Sequence, residues 1–430
     1  MNGRQPLPGP VASLLGARDT RRMTAIGEPY ATDLDRPNLI VPLLRHALRA
    51  EQDADTGPTV GWFTDQVVRQ IAQLLQAPSP AWQGAFCDSL TAATIRTLLP
   101  LRQAEPGLVL YRSTASHGHV AAAAHILGLD TVIVPTDRRG VLNPAQLAAE
   151  IRQRRPSAVA AVATLGTPAA GALDDVAAIR AAVDGLPIRA HLHVDAPLEG
   201  LALAARAAPQ TPVGFAAGAD SIVVAGDQFL PVPLPCAVAL HRTQHLAAGP
   251  ALTPVAAPGP IPVTAWAPAV DDIEAAGCGS GHAAVLLWHA LQECGTDGLA
   301  RRARRSDALA GYTLRRLHEL SWPGWRHPGS MTVLLQPPSA LLRRRWSLQV
   351  DAGWARIVCV PGVTEAHIDR FIAELSHEPP PAPAAASVAP SPVHSPSRSL
   401  GSDPDPVGQS ALATDVPASP GADRARTRAA

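Results

Sequence analysis

The sequence predicts an α/β protein with a large, doubly wound, mostly parallel sheet, followed by a smaller α+β domain. Strand-like and helix-like segments alternate between residues 84 and 226. Several strands, such as residues 157–166, are almost continuously apolar, which is typical of parallel strands buried on both faces. After a proline-rich region the pattern changes to long helices and a few short strands, which predicts the second domain.

The elements of the predicted large domain follow one another in order. Apolar residues at helical spacing predict a first helix over residues 60–77. Asn143 is the expected N-cap of a later helix, because it precedes a proline at the first helical position. Strands are expected at 84–89, 107–113, 131–137, 157–166, 188–196 and 220–226, and helices at 91–102, 119–129, 143–155 and 174–185.

The remaining chain divides by composition. Residues 281–320 predict one or two long helices, and two strands and a closing helix follow them. The tail is rich in Pro, Ala and Ser and cannot bury enough apolar surface to offset its ordering entropy, so we expect it to be disordered. The expected organisation is a flexible start (1–25), a wrapping segment (26–56), the large domain (57–260), the small domain (261–378) and the tail (379–430).

Composition excludes several classes of function. The chain carries 36 basic and 36 acidic residues and has a net charge of zero, which argues against nucleic-acid binding. Its five cysteines are scattered without a CxxC pair, so we expect no metal site and no disulfide framework. No apolar run is long enough to span a membrane, and the start lacks the apolar core of a signal peptide, which favours the cytoplasm. All 36 basic residues are arginine, so the chain contains no lysine.

Polar side chains follow several predicted strands at their carboxyl ends. They are His117, Thr164, Asp195, Asp227 and Gln228. Because the carboxyl ends of parallel strands converge on one crevice, where ligands bind, these residues predict a site. Each also has a purely structural interpretation. A histidine near a helix start can be a cap or a packed core residue, and an aspartate after a strand is often an N-cap.

Six motifs follow one another in a characteristic order. They are STASHGHVAAAAHILGL (113–129), TLGTPAAGALDDVAAI (164–179), HVDAPLEG (193–200), GADSIVVAGDQFLPVPLPCAVAL (218–240), GCGSGHAAVLLWHAL (277–291) and ARIVCVPGVTEAHIDRFI (355–372). This series resembles the group II amino-acid decarboxylases that depend on pyridoxal 5'-phosphate (PLP), and most of all the bacterial histidine decarboxylases. The resemblance implies a fold-type I PLP-dependent architecture.

The resemblance also implies roles for single residues. His117 matches the histidine that stacks on the cofactor ring, and Asp195 matches the carboxylate that pairs with the pyridine nitrogen. Such a carboxylate keeps the nitrogen protonated, so that the ring can act as an electron sink. Thr164 matches a hydroxyl near the phenolic oxygen of the ring.

Two further parts of the family's site have counterparts in the chain. Residues 87–94 (CDSLTAAT) match the phosphate cradle, so Ser89 and Thr91 are candidate cofactor ligands. Ser280 lies in the turn that reaches the site of a neighbouring subunit in the family. The resemblance therefore implies a dimer, formed either by two copies of this chain or with an active relative.

The chain departs from the family pattern at positions on which the family's reaction depends. Gln228 stands at the position of the lysine that forms the Schiff base, and Asp227 replaces a neighbouring histidine. Ser89 and Leu90 replace two adjacent glycines, and their side chains hinder the approach of backbone N–H groups to a phosphate. Residues 243–280 contain no tyrosine to protonate a carbanion. If PLP binds at all, it is expected to bind without a covalent link.

Four interpretations follow from the sequence. The first is a pseudoenzyme that acts as a partner or regulatory subunit, or binds an amino-acid-like ligand. The second is an enzyme with rebuilt, lysine-free chemistry that uses PLP or pyridoxamine phosphate, with His117, Asp227 or a substrate amine moving protons. The third is an ordinary decarboxylase, which would need an amine for the covalent step. The fourth is a scaffold that binds no ligand.

Overall fold

A computed structural model describes most of the two predicted domains. Ser280, the predicted tail from residue 381 onward, and nearly all of the predicted start and wrapping segment lie outside the described residues. Both sheets described below belong to one compact unit of the chain. The described residues are 24, 26, 27, 29, 60–206, 213–243 and 281–380.

The first part of the described chain alternates strands and helices, as predicted. Its helices are α1 (Val60–Leu74), α2 (Leu90–Ala104), α3 (Gly118–Ile126), α4 (Pro144–Arg154), α5 (Val176–Asp184) and α6 (Glu199–Ala205). Its strands are β1 (Trp82–Cys87), β2 (Leu108–Ser113), β3 (Asp130–Val134), β4 (Ala158–Thr164), β5 (Arg189–Asp195), β6 (Ser221–Ala225) and β7 (Ala237–Arg242).

These seven strands form one sheet in the order β1-β7-β6-β5-β4-β2-β3. Neighbouring strands from β6 to β3 are parallel, whereas β7 is antiparallel to both β6 and β1. Every residue of β4 and β6 is buried, as their continuous apolar character predicts. The sheet confirms the predicted α/β class with a mostly parallel sheet.

Strand β7 was not predicted, because the sequence from Gly226 onward suggests a proline-rich connection. The backbone N–H of Gly226 donates to the carbonyl of Cys236 at 2.8 Å, which closes the connection and returns the chain into the sheet. A Cβ atom at Gly226 would lie 2.6 Å from the Cys236 sulfur. The turn therefore needs a glycine at this close approach.

The later part of the described chain contains the small antiparallel sheet. Helix α7 (Gly281–Glu319) precedes β8 (Gly324–Trp325), β9 (Thr332–Leu335), α8 (Ala340–Arg345), β10 (Val350–Asp351), β11 (Trp354–Val358) and α9 (Glu365–Leu375). The sheet order is β10-β11-β9-β8, and all of its pairs are antiparallel.

Single residues explain where α4 begins and where α7 is interrupted. The side chain of Asn143 caps α4 by accepting hydrogen bonds from the next two free backbone N–H groups, as predicted. Gly295, with φ of 55° and ψ of 179°, interrupts α7, so the predicted long helical region consists of two helical segments. Among the described residues, no helix is long and apolar enough to cross a membrane.

Glu199, at the start of α6, connects the end of the large sheet with the small sheet. One of its carboxyl oxygens accepts hydrogen bonds from the Ser330 hydroxyl at 2.9 Å and from the Met331 backbone N–H at 2.7 Å. The side chain is fully buried, and this burial raises the pKa of Glu199 from 4.5 to about 7, although both hydrogen bonds oppose the shift. The protein therefore carries a carboxyl group that ionises near neutral pH.

This raised pKa predicts a pH-dependent stability. A carboxyl group whose pKa is higher in the folded state binds its proton more tightly there, so its stabilising effect is lost as the pH rises from about 4.5 to above 7. We expect the free energy of unfolding of Glu199→Gln, relative to that of the wild type, to increase by about 3 kcal/mol between pH 4.5 and pH 8. Urea unfolding at both pH values measures this change, and a pH-independent difference would contradict it.

A second buried polar cluster lies on β5 and β6. The Ser221 hydroxyl is 2.8 Å from Nε2 of His191 and 2.8 Å from Nδ1 of His193. Burial lowers the pKa of His193 to about 4, so the ring is neutral at physiological pH. The Ser221 hydroxyl thus lies within hydrogen-bond distance of two buried imidazole rings. One of them, His193, is two residues before Asp195.

Removing this hydroxyl should be costly, because buried polar groups that lose a hydrogen bond are destabilising. We expect Ser221→Ala to lower the free energy of unfolding by about 2 to 4 kcal/mol. The matched control is Ser157→Ala, whose exposed hydroxyl donates to the carbonyl of Gly107 at 3.2 Å and should change stability by less than about 0.5 kcal/mol. Equal effects in chemical unfolding would show that the buried cluster contributes no special stability.

Candidate active site

The carboxyl ends of the central strands converge at one edge of the large sheet. Thr164 ends β4 and pairs in register with Asp195, which ends β5. Asp195 in turn lies beside Val223 of β6, two residues before that strand ends. The sheet therefore brings together the predicted residues Thr164 and Asp195, and it places the turn with Asp227 and Gln228 at the end of the next strand.

His117 stands at the amino end of α3 and faces this edge. It is the N-cap of the helix, and its Nδ1 accepts a hydrogen bond from the backbone N–H of His119 at 3.1 Å. The residue is exposed to solvent, but partial desolvation of the ring, with a further contribution from His119, lowers the pKa of His117. The interpretation of His117 as a helix cap is therefore correct.

His119 forms the contact that joins α3 to β5. Its Nε2 lies 3.0 Å from Oδ1 of Asp195, and the side chains of the two residues are 4% and 0% exposed. The interpretation of Asp195 as an N-cap is wrong, because the following helix α6 has Leu198 as its N-cap, and the carboxylate of Asp195 contacts the His119 ring instead. His119 was not among the predicted site residues. The signal was present in the motif HGH, which places a second histidine on the first turn of the helix.

Thr164 is held by a carboxylate from the following loop. Its backbone N–H donates to Oδ2 of Asp174 at 2.7 Å, while Oδ1 of Asp174 accepts from the backbone N–H of Leu142 at 2.8 Å. Burial raises the pKa of Asp174 to about 6. Among the described residues, the hydroxyl of Thr164 and Oδ2 of Asp195 are buried without a hydrogen-bond partner.

The turn after β6 carries Asp227 and Gln228, and both are half-buried. Burial raises the pKa of Asp227, and hydrogen bonds from its own backbone N–H and that of Cys236 oppose the shift. Within the described part of the chain, no hydrogen bond to the Gln228 amide is found. The turn therefore holds a carboxyl group in place, while the neighbouring carboxamide has no hydrogen-bond partner in the part of the chain that the structure describes.

Ser89 and Thr91 occupy the start of α2, at the end of β1. Ser89 is the N-cap of this helix, and its hydroxyl accepts from the Ala92 backbone N–H at 3.2 Å. That N–H is thereby occupied by a side chain instead of being free for an anion. Strands β7 and β6 lie between β1 and β5 in the sheet, and no hydrogen bond within the described residues joins Ser89 or Thr91 to Asp195.

The residues present do not fit a covalently held PLP. No amine stands at residue 228, and the chain has no lysine elsewhere. At the position that the resemblance assigns to the ring, Oδ1 of Asp195 is already bound to His119, which leaves only the buried Oδ2 for a pyridine nitrogen. At the position that the resemblance assigns to the phosphate, Ser89 caps the helix itself. Within the described residues, no group of three or more His, Cys, Asp and Glu side chains is arranged to bind a metal ion.

Comparison with known proteins agrees with the fold and the motifs. The family described as the pyridoxal-dependent decarboxylase conserved domain matches residues 102–321. The histidine decarboxylase of Mesorhizobium japonicum is 28% identical over 316 residues, which are 73% of this chain and 82% of that protein. Serine decarboxylase 1 of Oryza sativa is 26% identical over 320 residues, which are 74% of this chain and 64% of that protein.

Solved structures show the same architecture. L-methionine decarboxylase from Streptomyces sp. 590 superposes with a TM-score of 0.68 at 19% identity, covering 88% of this chain and 98% of that one. The glutamate decarboxylase of Lactobacillus brevis gives a TM-score of 0.66 at 15% identity, covering 87% and 93%. The family match spans half of the chain, and it assigns PLP as the cofactor of the family. This chain, with its mixed seven-stranded sheet and small antiparallel sheet, therefore belongs to the pyridoxal-dependent decarboxylase family.

Proposed function

We propose that this chain is a decarboxylase-family pseudoenzyme that keeps the scaffold and has lost the usual reaction. It would act as the partner or regulatory subunit of an active relative, or bind a small amino-acid-like ligand without a covalent cofactor. The observation that carries the proposal is Gln228 in the turn after β6, at the position that the resemblance assigns to the Schiff-base lysine.

The chemical reason is the difference between an amide and an amine. The nitrogen lone pair of a carboxamide is delocalised into its carbonyl group, so Gln228 cannot form an imine with an aldehyde. Covalent catalysis of the family's kind needs an amine nucleophile, and the chain offers no lysine at any position. A shared fold does not preserve a function whose reacting group has been replaced.

An enzyme with rebuilt, lysine-free chemistry is the second candidate. His117 and Asp195 are both present, and Asp227 beside residue 228 has a raised pKa, which would suit a group that moves protons. These residues would have to act on PLP or pyridoxamine phosphate bound without a covalent link. Saturable PLP binding that is lost in Asp195→Ala, together with turnover of an amino acid, would favour this candidate.

Covalent trapping tests the loss of the lysine directly. The purified chain is incubated with PLP, reduced with borohydride and analysed by intact-protein and peptide mass spectrometry. We expect no pyridoxyl adduct on any side chain of the folded wild-type protein, because no side chain provides a reactive amine and only the N-terminal amine could be labelled. We expect Gln228→Lys to form an adduct at residue 228, because the resemblance assigns the family's lysine to that position.

The matched control places the same substitution on the surface. Gln153 is exposed near the end of α4, so Gln153→Lys introduces an ordinary solvent-facing lysine. It should be trapped much more weakly than Gln228→Lys at micromolar PLP. A borohydride-stable adduct within the wild-type fold would contradict the pseudoenzyme proposal, and equal labelling of the two variants would contradict the assignment of residue 228.

The subunit role predicts association with a lysine-bearing relative from the same genome. The two chains are co-expressed with different tags, purified in tandem and examined by native mass spectrometry. We expect a mixed dimer of one copy of each chain, and a decarboxylase activity per active subunit that differs from that of the relative alone. Separate homodimers with unchanged activity would show that the subunit role is wrong and leave the ligand-binding role.

A further inference from the structure

We infer that the His119 ring has replaced the pyridinium ring of the cofactor as the cation that pairs with Asp195. This inference rests on the proposed function, because the family's cofactor partners are assigned to His117 and Asp195 by resemblance. It concerns how the chain stabilises a buried carboxylate when no covalently held cofactor is present.

The contacts of His117 determine which ring nitrogen of His119 carries a hydrogen. Its Nδ1 accepts the backbone N–H of His119 at 3.1 Å, so this nitrogen carries a lone pair and no hydrogen. The same Nδ1 lies 2.7 Å from Nδ1 of the His119 ring. Two lone pairs at that distance would repel each other, so Nδ1 of His119 carries a hydrogen and donates it to His117.

The opposite side of the His119 ring faces Asp195. Nε2 of His119 is 3.0 Å from Oδ1 of Asp195. An ionised carboxylate can only accept a hydrogen bond, so the hydrogen of this contact is carried by Nε2 of the ring. Both ring nitrogens of His119 then carry hydrogen, and the ring is an imidazolium.

The surroundings of Asp195 require such a cation. Its side chain has no exposed surface, and a buried carboxylate is stable only when it is paired. Among the described residues, His119 is the ion-pair partner found for Asp195. The other nearby ring, His193, is neutral at physiological pH, because its burial lowers its pKa to about 4.

One side chain thus contacts both groups that the resemblance assigns to the cofactor ring. The rings of His117 and His119 lie with their centroids 4.6 Å apart and their planes tilted by 35°, and Nε2 of His119 lies 3.0 Å from Oδ1 of Asp195. A pyridine nitrogen could reach only Oδ2, which has no hydrogen-bond partner among the described residues, and it would meet a carboxylate whose charge His119 already balances through Oδ1. The expected consequence is weak PLP binding in the wild-type chain and stronger binding once His119 is removed.

The test compares PLP affinity among full-length variants by equilibrium dialysis. We expect His119→Ser to bind PLP at least 10-fold more tightly than wild type, since Asp195 then lacks its internal cation. The gain should disappear in the double variant His119→Ser with Asp195→Asn, which removes the negative charge. The matched control is His125→Ser, an exposed histidine in the last turn of the same helix, which should leave the affinity unchanged.

An affinity unchanged in His119→Ser, or a gain that survives the added Asp195→Asn, would overturn the inference. A second measurement uses wild-type protein labelled with ¹⁵N in its histidines, so it does not depend on the folding of a variant. We expect one buried, slowly exchanging ring with both nitrogens protonated at pH 7.5, and the absence of any such ring would also overturn it. A trapped covalent adduct, by contrast, would overturn the proposed function and leave the charge state of His119 standing.

Discussion

The candidate site depends on the hydrogen bond between the His119 ring and the carboxylate of Asp195. Asp195 ends β5, the fourth of seven strands in the sheet, and its side chain is completely buried. A charge at such a place costs several kcal/mol unless a partner of opposite charge compensates it. The cap that His117 forms on α3 places His119 on the first turn of the helix, and from there its ring reaches the end of β5.

The scaffold and the chemistry of this fold are encoded by different residues. The scaffold rests on apolar strands such as β4 and β6, whose side chains are all buried, and on short polar anchors such as Asp174. The positions that the resemblance assigns to the family's reaction lie in turns, and Gln228 lies in the turn after β6, outside the sheet. This separation explains how a chain can belong to a decarboxylase family and still lack the family's amine.

Much of the fold could be predicted because parallel strands buried on both faces leave a clear apolar signal. The predicted strands end within about three residues of the observed ones, and Asn143 caps its helix as expected. Strand β7 was missed because it follows a proline-rich connection and is paired by β1 and β6, which its own sequence does not reveal. Of the candidate site, the strand ends were predictable, whereas the partner of Asp195 was not.

The sequence by itself determined the fold class, the family motifs and the absence of every lysine, because these depend on residue identity and local pattern. Only the tertiary structure decided that Asp195 pairs with His119, which lies 76 residues earlier in the chain. Such a contact arises when a helix start and a strand end meet at one edge of the sheet. No local sequence pattern encodes the contact between the start of α3 and the end of β5, since it depends on how the strands of the sheet pack together.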